Sequence, residues 1–263
     1  MSGTIYIAAS GAIAQERMLN VVSNNLANIN TAGFKEDKTF FRSYLPGSFS
    51  SFKGNPQNNE IAIKNGMPPD SRQGNIHVKF EGASTNFSPG QLKYTGDPLD
   101  FALGGKGFFT IRTNDGIQYT RKGDFTLNQD GVLVTQDGFP VLGEGGEIQI
   151  NMTDGEKIIV DLNGNISLDE KQIDSLRIVE FDDPHLLNKV GNTLFATENP
   201  KDVGKKANEI DLNQGYIESS NVDSIKAMTE IIEALRGFES YQKILQSIDK
   251  INSKTNNEVG KLI

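Results

Sequence analysis

Two rhythms of apolar residues divide this chain. At the start, Ile5, Ala12, Leu19 and Leu26 recur every seven residues, with Ala8, Ala9 and Val22 beside them. Near the end, Met228, Ile231, Leu235, Phe238, Leu245 and Ile248 follow a three–four spacing. Both patterns line one face of a helix and predict helices over residues 2–28 and about 221–258. Narrow seams of this kind pack against another helix, from the same chain or a neighbour. Between them the period switches to two. Ile76-His77-Val78-Lys79-Phe80 alternates as a half-buried strand does. Further strands are predicted at 108–112, 117–121, 124–128, 132–136, 147–151, 157–161, 165–168, 175–181 and 193–197. The turns Asn114-Asp115-Gly116, Asp130-Gly131, Asp137-Gly138 and Asn163-Gly164 fall among them. Asn-Gly and Asp-Gly suit hairpins because their backbone matches the twist of the flanking strands.

The predicted fold class is therefore mixed α+β. A β-rich central domain of antiparallel hairpins sits between N- and C-terminal helices that form a coiled-coil-like bundle. The expected divisions are a helical assembly domain from 1–35 and 215–263, a linker at 36–75, a β-domain at 76–200 and a return linker at 201–214. The first linker is read from Ser48-Phe49-Ser50-Ser51 and Gly66-Met67-Pro68-Pro69, which favour an extended connector. Asn28, Asn30 and Gly33 end the first helix, since Asn and Gly accept left-handed backbone. Ser220 or Asn221 is expected to cap the last one.

Charge and composition narrow the partners. The formal net charge is −8 and the pI is about 4.9, which disfavours nucleic acid and anionic membrane surfaces. No apolar run is long enough to span a bilayer, so no membrane insertion is expected. There is no Cys, hence no disulfide, thiolate ligand or Cys nucleophile. Residues 1–13 hold no Lys or Arg, and Arg17 is the first basic residue, so the basic region of a Sec signal is missing. Any export is expected to take another route.

Candidate chemistry is sparse. Asp97 and Asp100 form a carboxylate pair with no nucleophile or metal partner near them in sequence. His77 and His185 fall in unrelated elements, too few for a zinc site or a triad. Gly104-Gly105-Lys106-Gly107 lacks the spacing and the Lys-Ser/Thr ending of a phosphate loop. Asp161-Leu162-Asn163-Gly164-Asn165 begins like a calcium loop, but its Gly comes fourth instead of sixth, and a hairpin turn is expected. No catalytic residue, cofactor or metal is assigned.

Four blocks carry a family resemblance. Ser23-Asn24-Asn25-Leu26-Ala27-Asn28-Ile29-Asn30-Thr31-Ala32-Gly33-Phe34-Lys35 resembles the N-terminal signature of the bacterial flagellar axial proteins, which comprise rod, hook and hook-associated proteins. Phe87-Ser88-Pro89-Gly90-Gln91-Leu92, Thr95 to Leu103 and Gly107-Phe108-Phe109 resemble the start of the middle domain in rod and hook proteins. Tyr119-Thr120-Arg121-Lys122-Gly123-Asp124-Phe125 is similar to the same family, as is Gln214-Gly215-Tyr216-Ile217-Glu218-Ser219-Ser220-Asn221-Val222-Asp223. The length and middle domain resemble the rod subunits, with Arg236-Gly237-Phe238-Glu239 closer to the proximal than the distal type. The stretch at 48–75 departs from the proximal pattern.

The resemblance implies a structural subunit of the basal-body rod in the periplasm. It would be exported by the flagellar type III apparatus and would polymerise with itself and other rod subunits into a helical, torque-transmitting shaft. The subunit interface is expected to use Ile5, Ala12, Leu19 and Leu26 with Met228, Ile231, Leu235, Phe238, Leu245 and Ile248. Asn24, Asn25, Asn28, Gly33, Phe34 and Asn221 are expected to fix register there. For the Asn-rich block a plain helix cap and turn is the competing reading. The terminal helices are expected to fold on assembly. An extracellular β-rich adhesive module explains the middle but not the terminal stripes. A peptidoglycan-cleaving enzyme lacks a credible acid or nucleophile.

Overall fold

The computed structural model describes residues 2–44, 77–151, 157–169, 171–191, 193–197, 204–207 and 210–259. The chain clusters into two units. One comprises Met1–Asn24, Lys38–Ser84 and Ile225–Ile263; the other comprises Asn25–Asp37 and Thr85–Ser224.

The first, helical unit holds most of α1 (Ser2–Ala27) and β1 (Asp37–Tyr44), together with β2 (His77–Thr85). β1 and β2 form a two-stranded sheet, with Phe41 edge-on to Phe80 at 5.8 Å and Arg42 paired to Glu81 at 3.1 Å. β1 falls inside the stretch read as an irregular linker. Its adjacent Phe40 and Phe41 break the period of two that reveals a strand. The remainder of that linker, from 45, and the start of the strand read from Ile76 lie outside the described residues.

The second, β-rich unit is built from short strands. In chain order these are β3 (Leu92–Tyr94), β4 (Phe101–Leu103), β5 (Phe108–Thr113), β6 (Gly116–Thr120), β7 (Phe125–Leu127) and β8 (Leu133–Thr135). Then come β9 (Leu142–Gly143), β10 (Gly146–Glu147), β11 (Ile158–Val160), β12 (Asn165–Leu168), β13 (Lys171–Ser175) and β14 (Ile178–Glu180). β15 (Leu187–Val190), β16 (Leu194–Thr197), β17 (Lys205–Lys206), β18 (Leu212–Gln214) and β19 (Tyr216–Glu218) complete it. The long helix α2 (Ser224–Val259), 36 residues or about 54 Å, belongs to the helical unit.

The largest sheet runs β15-β16-β6-β5-β14-β17, and every pair in it is antiparallel. β5 is buried on both faces, which explains its unbroken Phe108-Phe109-Thr110-Ile111 run. Phe109 and Ile111 enter a core with Phe101, Phe125, Leu133 and Ile148. Phe108 enters a second cluster with Tyr119, Val179 and Phe195. The β7–β8 and β11–β12 hairpins share one turn device. Asn128 Oδ1 accepts the N–H groups of Asp130 and Val132, and Asp161 Oδ1 accepts those of Asn163 and Asn165. Gly131 and Gly164 take the left-handed position these turns need, at φ 75° and 83°. Asp161 is thus a hairpin turn residue, and the N–H bonds hold its carboxyl below the usual range despite the opposing desolvation.

Some predicted strands shifted. The stretch 175–181 divides into β13 and β14. Residues 147–151 pair through Leu133 N–H to Ile148 O and Ile150 N–H to Gly131 O instead of forming a long strand. Within the expected return linker, β17 pairs with β14 and β18 with β4. Residues 201–203 and 208–209 lie outside the described residues.

Phe109 is 0% exposed and packs edge-on against Phe125 at 5.2 Å. Phe109→Ala is expected to cost the β-rich unit about 3–5 kcal/mol, read as a lower urea midpoint at unchanged m-value.

Candidate functional site

The signature block after α1 folds into the β-rich unit, where two other segments grip it. Gly33 turns the chain at φ 67°, and an added Cβ would collide with the Lys122 backbone. The Gly33 N–H donates to Glu218 O at 2.8 Å. Asn25 then acts as a side-chain copy of a strand bridge. Its Nδ2 donates to Asp37 O at 2.8 Å, while its Oδ1 accepts the Asp37 N–H at 3.0 Å. Asn221 works the same way from the other end of the chain. Its Oδ1 accepts the Glu36 N–H at 2.7 Å, and its Nδ2 donates to Asn86 O at 2.8 Å and Ser88 O at 3.0 Å. Asn86 N–H in turn donates to Glu36 O at 2.7 Å. Residues 33–37, 85–91 and 215–221 are thereby sewn into one junction.

Charges close it. Lys35 Nζ donates to Glu218 Oε1 at 2.6 Å and to Ser88 O at 2.9 Å. Gly90 N–H donates to the same Oε1 at 2.7 Å. Arg121 follows β6 and brings Nη1 to 3.7 Å from Glu218 Oε2. The side chains of Lys35, Arg121 and Glu218 are 1%, 5% and 0% exposed. Burial lowers the Lys35 ammonium below its ordinary range; Glu218 opposes that shift, and Arg121 adds to it. Burial also lowers Arg121, against the pull of Glu218. On the outer side Lys189 Nζ donates to Lys35 O and Asp37 Oδ2, each at 2.9 Å, and lies 3.9 Å from the Phe34 ring centre.

The expected interface residues thus have distinct surroundings. Asn25, Asn28, Gly33 and Phe34 are buried, and Asn28 Oδ1 accepts from the Thr31 hydroxyl at 3.2 Å. Asn221 serves the junction rather than the helix cap, and α2 begins three residues later. Asn24 occupies an exposed position on α1, Ala12 is buried, and Ile5, Leu19 and Leu26 are half-buried. On α2 the structure sorts the predicted set into two stripes. Ile231, Phe238, Leu245 and Ile248 are half-buried and align with buried Ala227 and Ala234. Met228 and Leu235 are exposed and align with exposed Ile225 and Ile232. The two helices touch within their unit. The Tyr241 ring lies on Gly11, and Gln15 lies against Gly237, so α1 and α2 run antiparallel there.

Three family profiles match the chain, and Lys35, Arg121 and Glu218 fall one in each. "Flagella basal body rod protein" matches residues 5–35, "Flagellar hook protein FlgE/F/G D1 domain" matches 102–168, and "Flagellar basal body rod FlgEFG protein C-terminal" matches 213–258. The chain is similar to "Flagellar basal-body rod protein FlgF" of Caulobacter vibrioides, 30% identical over 100% of both chains. It is similar to "Flagellar basal-body rod protein FlgG" of Bacillus subtilis, 34% identical over 95% of this chain and 97% of that one. A FlgG of Buchnera aphidicola is 31% identical over 97% and 98%. The chain belongs to the flagellar basal-body rod protein family. The match runs through both helices as well as the β-rich unit, so an adhesive module is not favoured.

Reading the rod-family chain by sequence missed the buried charges. Lys35, Arg121 and Glu218 each sit inside a signature block, but Lys35 and Glu218 are 183 residues apart, and no local pattern pairs them. The groups weighed for chemistry lie elsewhere. Asp97 Oδ1 accepts the Leu99 N–H in a turn, and His185 is exposed, edge-on to Phe87 at 5.9 Å. Among the described residues no helix is long and apolar enough to cross a membrane.

Asn221→Ala removes the Glu36 acceptor and leaves that backbone N–H without its partner. The expected loss is about 1–3 kcal/mol of stability, read by urea denaturation.

Proposed function

We propose that this chain is a structural subunit of the flagellar basal-body rod and that it polymerises through its terminal helices. The observation that carries this reading is the second stripe of α2. Ile225, Met228, Ile232 and Leu235 are 77%, 53%, 50% and 41% exposed. At 100° per residue they fall within an arc of about 80°. The half-buried seam through Ala227, Ile231, Ala234 and Phe238 lies about 100° further round. One stripe serves contacts inside the subunit, and on the other Met228, Ile232 and Leu235 present exposed apolar side chains. Tyr6, Ile7 and Ile13 add exposed apolar surface on α1. Contiguous apolar surface of this kind marks an association face.

In this reading, helices from successive subunits pack as a coiled-coil-like bundle and form the inner wall of a helical tube. Head-to-tail contacts that do not close on themselves generate a filament, as a shaft requires. Ile5, Ala12, Leu19, Leu26, Ile231, Phe238, Leu245 and Ile248 support the helical wall, while Met228 and Leu235 meet the neighbour. Asn24, Asn25, Asn28, Gly33, Phe34 and Asn221 hold the segments that lead into it. The partners are copies of the chain and other rod subunits in the periplasm, reached through the flagellar type III apparatus. The role is mechanical, without an enzymatic step. Arg236-Gly237-Phe238-Glu239 and the full-length similarity to a FlgF support the proximal subtype.

The test is complementation of a strain lacking the chain, with an epitope in the Asn114 turn. The tagged chain is expected to restore motility and to label isolated basal bodies near the inner membrane. Met228→Asp with Leu235→Asp is expected to abolish both motility and label while the purified variant keeps its circular dichroism. Motility retained by that double variant contradicts the interface. Label at the outer-membrane rings reassigns the subtype.

A further inference from the structure

The buried charge cluster is unevenly matched. It holds two cations, Lys35 and Arg121, and one anion, Glu218. Glu218 Oε1 is filled by Lys35 Nζ and the Gly90 N–H. Glu218 Oε2 and Arg121 Nε are both buried and have no hydrogen-bond partner. The 3.7 Å from Arg121 Nη1 to Oε2 is too long for a hydrogen bond. A guanidinium fork matches a carboxylate with two parallel bonds, and that arrangement is the strong one. Here the fork is held aside. Nη1 donates to Leu103 O at 3.3 Å, Nη2 donates to Gly105 O at 2.7 Å, and the guanidinium lies 5.4 Å from the Phe108 ring centre.

We propose that Glu218 is a shared anion for which Lys35 and Arg121 compete, so that the signature segment docks on the β-rich unit as a two-state latch. In the latched state, the one seen here, Lys35 occupies Oε1 and Arg121 rests on the Leu103 and Gly105 carbonyls. In the open state the signature segment leaves and Arg121 closes on Glu218, pairing Nε with Oε2. All three residues lie in the β-rich unit, but only Lys35 is carried by the 25–37 segment that leads from α1. Release therefore exchanges one partner for another and strands no charge. A buried carboxylate left bare costs several kcal/mol, which is why a simple lock of one Lys on one Glu would resist opening. The excess cation keeps the latched state shallow, because Lys35 and Arg121 repel each other across one carboxylate. The segment leading to α1 can thus dock and undock while the sheet stays folded.

The test is hydrogen exchange of the full chain, read by mass spectrometry, and it is independent of rod assembly. In the latched state the N–H groups of Gly33 and Glu36 are bonded to Glu218 O and Asn221 Oδ1. The β5–β6 peptides report whether the sheet is intact. Lys35→Met is expected to speed exchange at 33–37 about tenfold and leave β5–β6 unchanged. Arg121→Met is expected to slow exchange at 33–37, because the competitor is gone. Arg121→Gln, which keeps a donor for those carbonyls, is expected to do the same. A fixed structural cluster predicts the opposite sign for Arg121, since its removal then loosens the junction. Unchanged or faster exchange at 33–37 in both Arg121 variants overturns the proposal. So does loss of β5–β6 protection in both, or unchanged exchange at 33–37 in Lys35→Met.

Discussion

A carboxylate removed from water is the constraint on which the junction depends. Glu218 is fully buried, and a charge in that position must be met by cations and donors or the fold fails. Its partners come from three parts of the chain: Lys35 after α1, Gly90 before β3, and Arg121 after β6. Satisfying one side chain therefore brings together segments that sequence order keeps far apart. The backbone then follows in register, with Gly33 N–H on Glu218 O and Ser219 N–H on Gln91 O. Asn25 and Asn221 extend the register by acting as side-chain copies of strand bonds.

The same junction gathers the segments that lead to both helices. The chain passes between its units on either side of the signature segment, and again at the entry to α2. Residues 33–36 and 218–221 are bonded to one another inside the β-rich unit. The segments that lead to the two helices thus meet at one hydrogen-bonded site. Lys189 reinforces it from β15, through Lys35 O, Asp37 and the face of Phe34.

Long periodic features were legible in the sequence. The seven-residue recurrence gave α1 to within a residue at its end, and the three–four rhythm gave most of α2. Hairpins with Asn-Gly or Asp-Gly chemistry, such as Asp161 to Gly164, also read directly. β4, β9 and β17, of two or three residues, were not legible because so short a segment shows no period, whereas the equally short β7, β8 and β11 were marked by the Asp-Gly and Asn-Gly turns beside them. β5 was legible as a strand, but its burial on both faces depends on sheet order. In the site, the Asn and Gly residues stood out by type. Lys35, Arg121 and Glu218 did not, because a charged residue in a signature block reads as surface until its partner is known. The helix stripes showed a further limit. Met228 and Ile231 belong to one apolar rhythm, yet the first is exposed and the second turns inward.

The subunit combines a buried ionic junction with an exposed helical stripe, and one measurement sees both. It is a side-chain-resolution electron cryomicroscopy structure of basal bodies containing this chain. The account predicts Ile225, Met228, Ile232 and Leu235 buried against the helices of neighbouring subunits, with Lys35 still on Glu218. A rod in which that stripe faces solvent, or in which Glu218 is separated from both Lys35 and Arg121, contradicts it.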